Sequence, residues 1–179
     1  MTRIFVCAGM KLANDEHILK QARLLGERLS KDKSITYVQG GSDKGLMGET
    51  LKAFLKKSKN VEFLIPDVYY KEDSPSLVKL VGEKHFQAKI TKGEAGRLYE
   101  IIHCDKIIVF PGGTGTLEEL LYSNETHRSG ENKATITVVN IDGFFDGVLS
   151  QIKTCFDKGL ADKSVINFNV VDSVEDLIL

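Results

Sequence analysis

Residues 111 to 119 read Pro-Gly-Gly-Thr-Gly-Thr-Leu-Glu-Glu, directly after the apolar run Lys106 to Phe110. Glycines let a backbone approach a ligand closely, and the helix that follows offers unpaired N–H groups with a partial positive charge. Gly112, Gly113, Thr114, Gly115 and Thr116 therefore form a candidate phosphate cradle. Two carboxylates, Glu118 and Glu119, stand in the first helical turn. Thr116 and Glu119 also have the spacing of a capping box, in which Thr116 caps the helix and Glu119 returns to its backbone N–H. The other reading sets a carboxylate beside the cradle, within reach of a ribose, to hold hydroxyls or stabilise positive charge at the anomeric carbon.

A second glycine-rich stretch, Gly40-Gly41-Ser42-Asp43-Lys44-Gly45, also joins a strand pattern to a helix. Its glycines admit either a phosphate contact or a plain tight turn. Lys44 lacks the spacing and the following Ser/Thr of a Walker loop, and neither stretch matches the dinucleotide G-x-G-x-x-G. Nucleoside triphosphates and NAD are therefore disfavoured. Met47, just beyond, either packs on a base or belongs to the core.

Both turns need rigid elements behind them. Short β-branched runs alternate with segments of helical period, the pattern of an α/β Rossmann-like three-layer fold whose mainly parallel sheet is flanked by helices. Strands are expected at Ile4 to Ala8, Ile35 to Gln39, Val61 to Ile65, Lys106 to Phe110, Ile136 to Ile141 and near Val165 to Val171. Helices are expected at about Asp15 to Ser30, through Leu46 to Leu55, at Gly93 to His103, Leu117 to Arg128 and Phe145 to Lys158, with a closing helical stub from Val174. Pro66 to about Gly82 reads as a long surface excursion whose length hints at function. Glu72 and Asp73 in it are either base or ribose contacts or solvated charges. In such a sheet the ligand crevice lies outside the carboxyl ends of the strands, where both glycine turns would meet.

The chain of 179 residues suits one nucleotide-binding domain spanning 1–179. Its 24 basic and 25 acidic side chains leave a formal charge of −1, so neither nucleic acid nor an anionic membrane is expected as partner. Cys7, Cys104 and Cys155 are odd in number, widely spaced and set in apolar surroundings. They read as free buried thiols of a cytoplasmic protein. His17, His85, His103 and His127 fall in different elements, and no metal is expected.

The segment from Pro111 to Glu119 fits the P-G-G-x-G-T-x-x-E signature of the LOG (Lonely Guy) family, often labelled lysine-decarboxylase-like. Gly40 to Gly48 resembles that family's second glycine loop, and Val139 to Asp146 its late strand and turn. The resemblance implies a homodimer or larger homo-oligomer that hydrolyses the N-glycosidic bond of a nucleoside 5′-monophosphate, either a cytokinin riboside monophosphate or an AMP- or CMP-like substrate. The products are free base and ribose 5-phosphate, and no cofactor is involved. It further implies phosphate on Gly113 to Thr116 and Glu119 as the catalytic carboxylate. Two positions depart from the pattern. Counting back from Pro111 puts Gly96 where the family carries a catalytic arginine and Arg97 where it carries a lysine. Arg97 is then either a substitute by a one-residue shift or a solvated surface cation. The early C-G-S-S segment is Cys7-Ala8-Gly9-Met10 here, without its hydroxyls. The rival reading is a non-catalytic nucleotide-binding sensor or carrier of the same fold.

Overall fold

A computed structural model describes residues 1–70 and 86–179. Seven parallel strands form one sheet in the order β4-β3-β2-β1-β5-β6-β7, with β1 at Thr2–Cys7, β2 at Ile35–Gln39, β3 at Val61–Pro66, β4 at Phe86–Thr91, β5 at Lys106–Val109, β6 at Thr135–Val139 and β7 at Phe168–Val171. Helices α1 (Glu16–Leu29), α2 (Gly45–Leu55), α3 (Gly93–Ile101), α4 (Thr114–Ser129) and α5 (Asp146–Asp157) complete the α/β fold.

The period-2 alternation of the strands divides the apolar side chains between two cores. Ile4 and Val6 of β1 join Leu25 of α1 and Phe54 of α2 on one face of the sheet. Phe5 and Cys7 join Leu98 of α3 and Leu120 of α4 on the other. Helix α1 begins where Asp15 accepts hydrogen bonds from the His17 and Ile18 amides at 2.7 and 3.2 Å, an ordinary N-cap. It lies hard against α2, because a Cβ on Gly26 would come within 2.2 Å of the Thr50 carbonyl oxygen.

Three expectations require correction. Strand β4 stands where no strand is expected. It is a largely exposed edge strand, paired to β3 from Val61↔Phe86 to Pro66↔Thr91. Its sequence, Phe-Gln-Ala-Lys-Ile-Thr, lacks the apolar run of a buried strand. The stub from Val174 is a turn and not a helix, closed by the Leu177 amide on the Val174 carbonyl at 3.2 Å. Buried Val174 and Leu177 anchor it, and the Arg28 guanidinium donates to both carbonyls, at 3.0 Å for Leu177. Cys7 and Cys104 are buried, but Cys155 is only half-buried, because α5 buries no residue fully. Most of the expected long excursion, with Glu72, Asp73 and Pro75, and also His85, lies outside the described residues.

Candidate active site

Strand β1 has β2 on one side and β5 on the other, so the chain leaves the sheet in opposite directions from its centre. A crevice must open at that switch point. Here it is a cleft of about 780 Å³, lined by the turns after β1, β2 and β5 and by Glu94 and Arg97 of α3. Its volume lies within the range of small-molecule pockets.

The Pro111 turn is fixed by close packing. A Cβ on Gly112 would lie 2.1 Å from Thr116 Oγ1 and 2.9 Å from the Gly9 nitrogen, so no larger residue fits. The Gly9 amide donates to the Pro111 carbonyl at 3.1 Å and binds the β1 and β5 turns together. Gly113 is the N-cap of α4 and no side chain caps it. Above Gly113 and Gly115 there is open space, since a Cβ on either would meet nothing within 4 Å. The amides of Gly113, Thr114 and Gly115 have no acceptor among the described residues. Unpaired donors at the positive end of a 16-residue helix, facing a cleft, are able to accept an anion.

This geometry overturns the capping-box reading. Helix α4 starts at Thr114, so Thr116 lies inside its first turn, and its hydroxyl packs beneath Gly112. Glu119 is thereby released to face the cleft, where it is only 6% exposed. Glu118, one residue earlier, is exposed and is not among the residues that line the cleft.

The first glycine stretch plays a different part. Gln39, fully buried at the end of β2, accepts the Gly41 and Ser42 amides on Oε1 at 2.9 and 3.0 Å and donates from Nε2 to the Ser42 carbonyl at 2.9 Å. The Gly41 and Ser42 amides are thus already engaged, and the loop lines the cleft from Gly40 to Lys44. Gly40 leaves a notch, since a Cβ there would stand 3.1 Å from Arg97 Nη1 and 3.3 Å from Met47 Cε. Met47 is both core and lining. Gln39 is a site-shaping residue that sequence reasoning missed; its only signal was a polar residue ending an apolar strand.

Arg97 enters the cleft. Its side chain is 15% exposed, and Nη2 lies 2.8 Å from Glu94 Oε2 and 3.3 Å from Glu119 Oε1. Gly96 faces elsewhere, since a Cβ there would sit 3.3 Å from Thr91 Cβ. The helical turn thus makes residue 97, not 96, the one that enters the crevice from α3. Burial pushes the Glu119 carboxyl up to about 7, although the Arg97 charge and the Cys7 thiol beneath it pull the other way. Desolvation outweighs the ion pair because the carboxylate loses nearly all of its water. The same burial, with Glu119 adjacent, raises the Cys7 thiol well above its ordinary range. Among the described residues no three His, Cys, Asp or Glu side chains gather as a metal site, and no helix is long and apolar enough to cross a membrane.

Fold and cleft together define a Rossmann-like α/β protein in which an uncapped helix N-terminus and a buried carboxylate face one cleft. Residues 47–178 match the family described as possible lysine decarboxylase. A probable cytokinin riboside 5′-monophosphate phosphoribohydrolase of Oryza sativa subsp. japonica is 28% identical over 98% of this chain and 74% of its own length. A cytokinin riboside 5′-monophosphate phosphoribohydrolase of Arabidopsis thaliana is 31% identical over 88% and 70%. The chain belongs to this family, the LOG or lysine-decarboxylase-like proteins. The fold is shared with the Moco carrier protein of Chlamydomonas reinhardtii, at a TM-score of 0.63 and 18% identity, covering 97% of this chain and 91% of that one.

Proposed function

We propose that the protein hydrolyses the N-glycosidic bond of a nucleoside 5′-monophosphate, with cytokinin riboside monophosphates and AMP- or CMP-like nucleotides as the substrate class. The observation that carries this reading is the pairing of an uncapped helix N-terminus with a buried carboxylate one helical turn away, in a single cleft. The phosphate rests on the Gly113, Thr114 and Gly115 amides, and this remote binding orients the ribose over Glu119. As the bond from C1′ to the base nitrogen breaks, its electron pair leaves with the base, and positive charge develops on the ribose. Ionised Glu119 stabilises that charge and takes a proton from the water that attacks C1′. The leaving base takes up a proton, and Arg97 supports its departure. The names of the phosphoribohydrolase relatives support the same reaction. A homo-oligomer in a reducing cytoplasm belongs to this reading, consistent with free Cys7 and Cys104.

Incubation with AMP, CMP, GMP, IMP, UMP and a cytokinin riboside monophosphate, followed by chromatography, should release free base from at least one. Glu119→Gln should lower that rate by about 10²–10⁴-fold; a variant as active as the parent would overturn the assignment. The second reading, a carrier or sensor without turnover, draws on the fold shared with a Moco carrier protein. Calorimetric binding of a nucleotide with no base released from any of them would favour it.

A further inference from the structure

Two arginine–carboxylate contacts in this protein differ in kind. Arg3 grips Glu62 with both arms of its fork, Nε to Oε2 at 2.9 Å and Nη2 to Oε1 at 3.0 Å. That two-point arrangement is the strong one for a guanidinium and a carboxylate. Arg97 does not hold Glu119 in this way. A single nitrogen, Nη2, is shared between Glu94 at 2.8 Å and Glu119 at 3.3 Å. Arg97 Nε and Glu94 Oε2 are both buried and find no hydrogen-bond partner among the described residues, so the 2.8 Å contact is an ion pair held by proximity and not an aligned hydrogen bond. Glu94 and Arg97 stand one turn apart on α3, so the helix itself keeps the shorter contact in place.

We propose that Glu94 is a positioning residue: by drawing Arg97 to itself it prevents the guanidinium from closing a two-point pair on Glu119, and so leaves the Glu119 carboxyl free for the reaction. Without Glu94, nothing on α3 opposes rotation of the fork onto Glu119. A fully clamped carboxylate would be a weaker base and a poorer partner for developing positive charge. The raised titration of Glu119 accords with this arrangement. The charged and titratable groups acting on it are Cys7 from β1, Glu94 and Arg97 from α3, and Glu118 from α4 itself. Tyr69 lines the same cleft, and the neighbouring Glu94 raises its pKa. The inference deepens the hydrolase reading and takes its reaction from there, but the control of Glu119 by Glu94 is measurable without turnover.

The test is the titration of Glu119, followed by carboxyl NMR in the full-length protein, in the parent, Glu94→Gln, Arg97→Gln and the double variant. Glu94→Gln should move the Glu119 midpoint down by about one pH unit or more, as a freed guanidinium settles on it. In the Arg97→Gln background the same change should move it much less. An unchanged midpoint in Glu94→Gln overturns the proposal. So does an equal shift in both backgrounds, which would mean that Glu94 acts directly through space. Where base release is observed, the limb of the pH–rate profile set by Glu119 should move with the midpoint in Glu94→Gln. A limb that stays put while the midpoint shifts overturns the link to reaction. If no nucleotide is hydrolysed but the midpoint shifts as described, the hydrolase reading fails while the positioning of Arg97 by Glu94 stands.

Discussion

A carboxyl raised from the ordinary 4.5 to about 7 binds its proton more tightly in the folded protein than in the unfolded chain. Its contribution to stability is therefore complete below about pH 4.5 and disappears as pH rises to about 7. The parent protein should lose on the order of 3 kcal/mol from this group across that window. Glu119→Gln should flatten the decline and be the more stable form above pH 7. Denaturant melts at a series of pH values check this, and parallel curves for the two proteins would show that Glu119 titrates normally. That this residue faces the cleft was half legible. Thr-x-x-Glu spells a cap and a site equally well, and the choice depends on where α4 begins. Gly113 makes that choice, because the fit of Gly112 over the Thr116 hydroxyl draws Thr116 into the helix. Arg97 posed the same difficulty: spacing alone put Gly96 in the arginine position, and only the rotation of α3 about its axis shows which residue points inward.

Among the connecting elements, neighbouring glycines of the Pro111 turn should respond differently to one added methyl group. Gly112→Ala forces a Cβ against Thr116 Oγ1 and the Gly9 amide, and should destabilise the protein by about 1–3 kcal/mol or more while disturbing the cradle. Gly113→Ala meets nothing and has a φ of −88°, so stability should stay within about 0.5 kcal/mol. Its methyl group should still crowd the anion and weaken phosphate binding. Thermal melts and phosphate titrations of the two variants separate these effects, and equal losses of stability would contradict the packing described. Helices and buried strands were legible to within a few residues, because their apolar periodicity is strong. Strand β4 was not. An exposed edge strand buries little and is ordered by its neighbour β3, so its own residues carry a weak signal. The two glycine turns looked alike in sequence and differ in the fold because buried Gln39 engages the Gly41 and Ser42 amides of one.

For the molecule as a whole, alternation of strands and helices announced a parallel sheet, and parallel pairing runs throughout the seven strands. The crevice between β1 and β5 follows from that order. A nucleoside monophosphate that binds there, and only to the folded state, should raise the melting temperature with concentration, by about 2.7 kcal/mol of stability at a hundred times its Kd. Gly113→Ala should blunt the rise, and a melting temperature indifferent to every nucleotide would count against the cradle. The notch left by Gly40 reaches further than this one chain. Arg97 of α3 occupies space that a side chain at the end of β2 would fill, although the two residues are far apart in sequence. Through evolution the two positions should therefore vary together. Relatives that keep an arginine at the position of Arg97 should keep glycine at the position of Gly40, where Met47 crowds a side chain as well.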